Sequence, residues 1–373
     1  MMRAGAVLAL VATLVSGAES LCAQPVSGQG GVVFDSYSFG EGLGFESMRQ
    51  IAVPVVVESR VSERASLTLA TGWTQVSMGL DDGQSLELAG LIDTEARLTV
   101  AVRPERLSVF LSGSVPTGLG TVAEEKLALL GPLSHDLLAF STPTLGGGGS
   151  VGIGAAGAAA TGTTSIGWAA HLRVPLTYEP VVGSGDEVRA GTEVRARIGM
   201  ESPVGRRSFF RLAAVMSLRG KDRLDGAPVN GVGRRLAGYA SLDTPLAGTV
   251  ATVWTSGFYR SDPSLEPTAV GASVVPRGGM LAAGARVVMG VGAVTRLEPE
   301  VEIRTSAVAP DAAGLDLETE GRLVRLGLRL RRPLQSGLGL VAEAGGVWGT
   351  LHEGVHSVDT RGLRAAVAFS WTR

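Results

Sequence analysis

Largely apolar and polar positions alternate over residues 186–200, which read DEVRAGTEVRARIGM. Successive side chains of a β-strand point to opposite faces, so Val194 and Ile198 would share an apolar face. Glu193 and Arg195 would lie on the other face, which carries charges of both signs. The segment is longer than the roughly five or six residues usual for a strand in a soluble protein. It is also long enough to cross a bilayer at a tilt, for which about 9–11 residues suffice.

The same alternation recurs along the chain and predicts up to sixteen strands. They are expected at 32–39, 50–58, 65–78, 91–103, 106–115, 149–160, 165–176, 187–201, 207–218, 234–243, 249–260, 279–291, 295–306, 321–332, 337–349 and 363–372. Pro54 weakens the second of these runs, because proline has no N–H to donate to a strand ladder. If the first two runs form a plug or an irregular lead, the strand number is fourteen.

The connections between these strands alternate in length. Tight turns are expected at 104–105, 161–164, 202–206, 244–248, 292–294 and 333–336, and longer loops at 79–90, 116–148, 177–186, 219–233, 261–278, 307–320 and 350–362. Short turns on one side and longer loops on the other are typical of barrels that span the outer membrane. The pattern therefore predicts an all-β, antiparallel, up-and-down transmembrane β-barrel of about 14–16 strands. Its short turns and both termini would be periplasmic, and its longer loops extracellular.

The alternative fold is a soluble, secreted or periplasmic, all-β protein, whose strands also alternate. Closure of a wide sheet into a barrel removes its exposed edges, which favours the barrel. The apolar faces are also rich in Ala, Gly, Val and Leu, whereas the opposite faces carry charge in strand after strand. Aromatic residues make up only 5% of the chain, so interfacial aromatic girdles would be sparse. The distribution favours lipid outside the barrel and water inside.

The N-terminus has the features of a secretory signal peptide. Arg3 precedes an apolar run that ends near Val15, followed by small and polar residues. The run is shorter than the about 20 residues that a membrane anchor needs. Cleavage is expected after Ala23, which makes residues 1–23 the signal and 24–373 a single barrel domain. The mature chain would have no cysteine, and its expected location is the outer membrane of a Gram-negative-type bacterium.

Composition gives little support to other classes of function. The formal net charge is −2 and no basic run is present, which argues against nucleic acid as a partner. His352 and His356 fall in a predicted loop, where nothing converges them on a metal ion. His171 is expected to face inward beside Arg173, but the spacing supplies neither the serine nor the orienting group that a hydrolase would need. No enzymatic activity, metal site or cofactor is expected.

Three short segments resemble a known family. Residues 50–54 (QIAVP) followed by 62–67 (SERASL), residues 88–94 (LAGLIDT) and residues 115–118 (VPTG) are similar to segments of outer-membrane transporters. The group includes the FadL-type channels for hydrophobic compounds and the meta-pathway phenol-degradation barrels. The resemblance implies a transmembrane β-barrel that takes up small hydrophobic molecules passively.

Charged residues on the inward faces are the candidate functional residues. They include Asp93, Glu95, Arg97, Arg173, Arg189, Glu193, Arg195, Arg197, Arg211, Glu298, Glu300, Glu302, Arg325 and Arg329. Basic residues predominate in the full inward set, so the lumen is expected to attract anions mildly. Antiparallel pairing across 307–320 would bring Glu302 near Arg325 and Glu298 near Arg329. These charges either brace a narrow barrel or form a selective constriction of the kind that rings of charged side chains make.

The sequence thus predicts a barrel in the lipid bilayer that passes or binds a small solute, either hydrophobic or anionic. Two other hypotheses stay open. One is a structural or adhesive barrel whose loops, especially 116–148, contact a partner protein. The other is a soluble secreted β protein.

Overall fold

The structure, a computed structural model, describes residues 26–267, 275–309, 316–335, 337–353 and 356–372. The predicted signal peptide lies outside these ranges. Sixteen wall strands are present in the described ranges: β1 Val26–Phe39, β2 Phe45–Ser62, β3 Ala65–Leu80, β4 in two pieces at Ser85–Leu91 and Thr94–Arg103, β5 Leu107–Val115, β6 Ser150–Thr161, β7 Thr164–Pro175, β8 Glu193–Val204, β9 Ser208–Arg219, β10 Arg235–Leu246, β11 Thr249–Arg260, β12 Gly278–Val291, β13 Thr295–Val308, β14 Glu318–Gln335, β15 Leu338–Glu353 and β16 His356–Thr372.

Each wall strand pairs antiparallel with the next one along the chain, and the last strand pairs with the first. The β1–β16 ladder runs from Ser27 opposite Thr372 to Phe39 opposite Thr360. This ladder closes the sheet and leaves the wall without a free edge. The fold is therefore the predicted closed antiparallel barrel. It has sixteen strands rather than fourteen, because the first two predicted runs are full wall strands of 14 and 18 residues.

Tight turns lie at the end of the barrel where β1 starts and β16 ends, as predicted. Two of the loops predicted at the other end are wrong, since β3 and β4 leave only residues 81–84 between them and β15 continues to Glu353. At these positions the backbone ladder extends past the residues whose hydrophobicity alternates. Strand ends that project beyond a membrane meet water on both faces, so they lose the alternating pattern while they keep their backbone hydrogen bonds.

Pro299 lies within β13 and interrupts one ladder without a bulge. It pairs with Leu328 of β14, while Val287 and Val288 of β12 have no partners on the side of β13. The β12–β13 register is the same on both sides of this gap. A register shift in the β13–β14 ladder lies further on, between Ser306 and Ala307.

The two faces of the wall have opposite chemistry. Ile198 and Leu281 project outward with 58% and 56% of their surface exposed. Asp35, Gln50 and Glu298 project inward and are 1%, 0% and 4% exposed. Large aliphatic side chains on the outer surface, with charged and polar side chains buried inside, match a barrel whose outer face meets hydrocarbon. No helix in the described ranges is long and apolar enough to cross a membrane.

The connection between β5 and β6, residues 116–149, folds into the barrel and is called the inward loop below. It contains two short helical turns, Glu124–Leu129 and Leu130–Leu133. Its apolar side chains pack with inward side chains of the wall in a buried cluster. That cluster comprises Tyr37, Phe39, Met48, Val76, Met78, Leu88, Val122, Leu129, Leu133, Leu137, Leu138, Phe140, Leu145, Leu323, Val347, Leu351 and Val358. The hydrophobic core of the molecule therefore lies inside the barrel, around this loop.

Candidate functional site

Asp93 ties the two ends of the inward loop to the wall. It lies at the break between the two pieces of β4. One of its carboxylate oxygens accepts a hydrogen bond from the backbone N–H of Gly118 at 3.0 Å, and the other accepts one from Gly147 at 2.8 Å. The sequence placed Asp93 among the constriction residues. In the structure both carboxylate oxygens of Asp93 accept hydrogen bonds from the loop, because Asp93 lies beside the points where the loop leaves and rejoins the wall.

The middle of the inward loop rests on an ion pair that spans the closing ladder. Arg364 of β16 donates from Nε to Asp35 of β1 at 2.5 Å. Asp35 accepts from both the backbone N–H and the hydroxyl of Ser141, at 3.1 and 2.6 Å. Arg364 also donates to the carbonyl of Ala139 at 2.7 Å. The loop backbone therefore satisfies buried charged groups of the wall, which would otherwise be costly to leave without partners.

Other wall side chains hold the same part of the loop. Gln50 donates to the carbonyl of Thr142 at 2.8 Å and accepts from its N–H at 2.9 Å. The hydroxyl of Tyr37 donates to the carbonyl of Leu138 at 2.6 Å. Reciprocal hydrogen bonds of this kind fix both the position and the orientation of the loop backbone, so wall side chains hold the inward loop at several points along its length.

The glycine run that ends the inward loop permits close contacts between backbones and rings. Gly148 has a positive φ of 75°, and an added Cβ there would overlap the ring of Tyr178. Burial beneath this loop raises the pKa of Tyr178 above its ordinary value. Gly146 lies against the backbone of Gly120. These glycines make a tight fit between the loop and its neighbours possible.

The wall formed by β12–β15 carries arginines that are paired with carboxylates, and it is called the paired wall. Glu298 lies within ion-pair distance of Arg286, Arg329 and Arg331, at 3.9, 3.8 and 2.9 Å. Glu343 accepts hydrogen bonds from Arg329, at 3.0 and 2.8 Å, and also from Arg325. Opposite charges are thus matched within the wall, as expected for groups that brace it.

The predicted β13–β14 register is confirmed, but one ion pair differs from the expectation. Glu302 stands opposite Arg325 and Glu298 opposite Arg329. Glu298 and Arg329 form an ion pair. Glu302 pairs instead with Arg304 of its own strand, while Arg325 pairs with Glu343 across the β14–β15 ladder. A residue in a sheet has a neighbour on either side and at i±2, so register alone leaves the choice of partner open.

The inward side of β3–β10 encloses a water-accessible cavity of about 740 Å³, and its lining is called the open wall. Its charged residues are Glu95, Arg97, Arg173, Glu193, Arg195, Arg197 and Arg235. Five arginines therefore face two glutamates. Six of these seven residues were predicted from the sequence, and the structure brings them together. Arg235 was not predicted, because it stands at the first position of β10, where the alternation is only beginning.

Aromatic rings hold two of the arginines of the open wall. The guanidinium carbon of Arg97 lies 3.7 Å from the ring centre of Phe110, and that of Arg235 lies 3.8 Å from Phe258. Arg235 also approaches Asp136 of the inward loop at 3.9 Å. Such stacking holds the planar group in a defined orientation.

His171 has a serine neighbour that the sequence spacing did not indicate. Its Nε2 lies 2.9 Å from the hydroxyl of Ser112, on strand β5. Within the described ranges no hydrogen bond holds Nδ1, whereas a hydrolytic triad uses such a bond to orient the imidazole. Both residues line the cavity.

The remaining three predicted residues, like Asp93 and those of the paired wall described above, lie outside the cavity. Arg189 belongs to a small exposed sheet of loop strands, Val188–Arg189, Arg223–Leu224 and Ala227–Pro228, and not to the barrel wall. The alternation around Arg189 predicts that it belongs to the next wall strand, but that strand starts only at Glu193. Arg211 pairs with Asp243 and Glu201 near the end of the barrel where β1 starts and β16 ends. Glu300 lies on the paired wall and makes no ion pair with the described residues.

Replacement of Glu298 by Gln is expected to lower the thermal stability of the barrel. Removing one partner of a fully buried ion pair costs about 3–5 kcal/mol, because the remaining charge is left desolvated. A smaller loss is expected here, since the side chain of Arg331 is 48% exposed. The measurement is the temperature at which the detergent-solubilised barrel unfolds.

Glu300→Gln is the matched control for this substitution. Glu300 lies two residues away on the same strand and the same face, but without an ion pair in the described structure. Equal melting temperatures of the two variants would contradict a bracing role for Glu298.

The structure defines a closed sixteen-stranded barrel with a charged lumen, partly filled by a loop. No family model matches the chain. No curated protein matches it either.

Several solved outer-membrane proteins are similar to this chain at low sequence identity. OpdQ of Pseudomonas aeruginosa is similar at 10% identity and a TM-score of 0.46, over 94% of this chain and 100% of that one. OmpF of Salmonella typhi, solved with daunomycin, is similar at 12% identity and a TM-score of 0.44, over 93% and 97%. A bacterial polysaccharide outer membrane secretin is similar at 9% identity and a TM-score of 0.48, also over 93% and 97%.

Proposed function

We propose that the protein is an outer-membrane channel through which small anionic solutes diffuse passively along the open wall. The observation that carries the proposal is the charge of the cavity, where five arginines face two glutamates. In a pore with low-dielectric walls, an excess of fixed positive charge raises the local concentration of anions.

The outer surface supports placement in a membrane. Large aliphatic side chains such as Leu111, Ile153 and Ile198 are each more than half exposed on the outside of the wall. A continuous apolar surface around a barrel is unfavourable in water and favourable in hydrocarbon. Heat-modifiable migration on a gel, together with recovery in the outer-membrane fraction, tests this part of the proposal.

The lining of the cavity favours anions over the hydrophobic solutes that the FadL-type resemblance implies. A hydrophobic molecule would displace water from ionised side chains such as Arg97, Arg197 and Glu95, and it would offer them no hydrogen bonds in return. An anion can exchange its hydration for the N–H groups of the guanidiniums.

Purified protein in a planar bilayer is expected to give single-channel currents that are selective for chloride over potassium. Under a KCl gradient, the reversal potential should lie on the anion side of zero. Cation selectivity would contradict the proposal. A folded, heat-modifiable barrel without conductance would contradict it as well and would favour a structural or adhesive role.

A further inference from the structure

Three arginines of the open wall have no carboxylate partner among the described residues. Arg97, Arg173 and Arg197 form no ion pair there, whereas on the paired wall Arg325, for example, is paired with Glu343. On the paired wall Glu298 and Glu343 are paired with arginines, whereas around the cavity two glutamates stand against five arginines. An uncompensated guanidinium is a ready partner for an oxyanion.

Among the described residues, the arginines of the open wall use only part of their hydrogen-bonding capacity. Arg173 donates from Nε to Ser150 at 2.8 Å, and Arg195 donates from Nε to Ser217 at 3.2 Å. A guanidinium has five N–H groups in a planar fork, so each bond to a serine leaves the Nη groups for other acceptors. Carboxylate and phosphate oxygens match that fork with two parallel hydrogen bonds.

Arg97 is held in place before any ligand arrives. It stacks on Phe110, which is itself only 5% exposed and therefore fixed by its surroundings. Phe110 also contacts His171, with ring centres 5.4 Å apart. Because the stack limits the rotamers of Arg97, less conformational entropy is lost when the guanidinium binds a ligand.

We propose that the open wall contains a binding subsite for a doubly charged oxyanion, namely a phosphate-type dianion or a small dicarboxylate. This inference rests on the proposed function and narrows its class of solute. Two negative charges match the excess of arginine over glutamate more closely than one, and they relieve the mutual repulsion of guanidiniums that share one cavity. A monocarboxylate occupies only one fork and leaves the other arginines uncompensated.

The size of the cavity makes the binding reversible. At about 740 Å³ the cavity is much larger than a small dianion, so water remains beside the ligand. Solvated contacts of this kind are weaker than those in a closed pocket. A conducting pore needs binding that is strong enough for entry and weak enough for exit.

The test uses the full-length protein in planar bilayers that carry a chloride current at constant ionic strength. Inorganic phosphate at pH 8, succinate and acetate are added in separate titrations. Phosphate and succinate should each reduce the chloride current in a saturable manner, whereas acetate should not. A block by only one of the two dianions also supports the subsite and identifies the acceptor group that it prefers.

Arg97→Gln and Arg173→Gln should each weaken the block by shifting it to higher dianion concentrations. Arg223→Gln, which removes an arginine from an exposed loop, should leave the block unchanged. An equal shift in all three variants would overturn the assignment, because it would indicate a general effect of charge.

The inference and the proposed function fail in different ways. If the channel selects anions but acetate blocks as well as succinate and phosphate do, or if no anion blocks, the subsite is overturned and the channel function stands. If the channel selects cations or does not conduct, the proposed function is overturned and the subsite falls with it.

Discussion

Replacement of residues 123–144 by a short Gly/Ser linker is expected to raise the single-channel conductance several-fold. Barrels of 16–18 strands leave an aqueous channel when nothing fills them. In this protein the inward loop places Leu129, Leu133 and Leu137 within the lumen, each no more than 1% exposed. The linker retains the ends of the loop that Asp93 binds, so the wall should close as before. Conductance steps in planar bilayers give the measurement.

A matched variant replaces residues 182–185, an exposed tip of the loop between β7 and β8, by a Gly/Ser segment of equal length. That variant should keep the native conductance. The first variant should also melt at a lower temperature, because Met48, Val76 and Val358 would lose the apolar side chains that cover them. Native conductance in a folded, heat-modifiable variant without residues 123–144 would show that the inward loop does not limit the pore.

The triple variant R97Q/R195Q/R197Q is expected to abolish the preference for anions. It leaves Arg173 and Arg235 against Glu95 and Glu193, so the excess of positive charge in the cavity disappears. The reversal potential under a KCl gradient should therefore move close to zero. The change should be larger at low salt, since charges are screened over about 8 Å at physiological ionic strength.

The control removes the same number of charges from exposed loops, as R189Q/R223Q/R234Q. These side chains lie outside the cavity, and screening should make their effect on selectivity small. Equal shifts in the two triple variants would mean that the total charge of the protein, and not the open wall, sets the selectivity. An unchanged reversal potential in the lumen variant would remove the open wall from the explanation.

The barrel was predictable because one physical rule acts along the whole wall. A strand between lipid and water must alternate, so β8, with Val194 and Ile198 outward and Glu193 and Arg195 inward, can be identified from a local segment. The rule loses its force at strand ends beyond the membrane, as at Glu353. It also misleads in loops, where Arg189 alternates with its neighbours by chance.

Only part of the candidate site could be predicted from the sequence. Local alternation places Arg97 and Arg197 on the inner face, and both residues line the cavity. The position of the inward loop could not be predicted, because the hydrogen bonds that hold it to the wall join residues that are far apart in the chain. Asp35 and Ser141 are 106 residues apart, and Arg304 and Leu137 are 167 apart. Neither strand periodicity nor loop composition contains information about such contacts.

The ion pair between Asp35 and Arg364 implies an order of assembly. Its two residues belong to the first and the last strand, 329 positions apart, and they meet only across the closing ladder. The inward loop uses both of them as its support. The loop can therefore form all of its contacts with the wall only after the final strand has inserted. A chain whose insertion stops before that step retains a wide lumen. The filling of the lumen by this loop is in this sense a late product of biogenesis that depends on completion of the C-terminal strand.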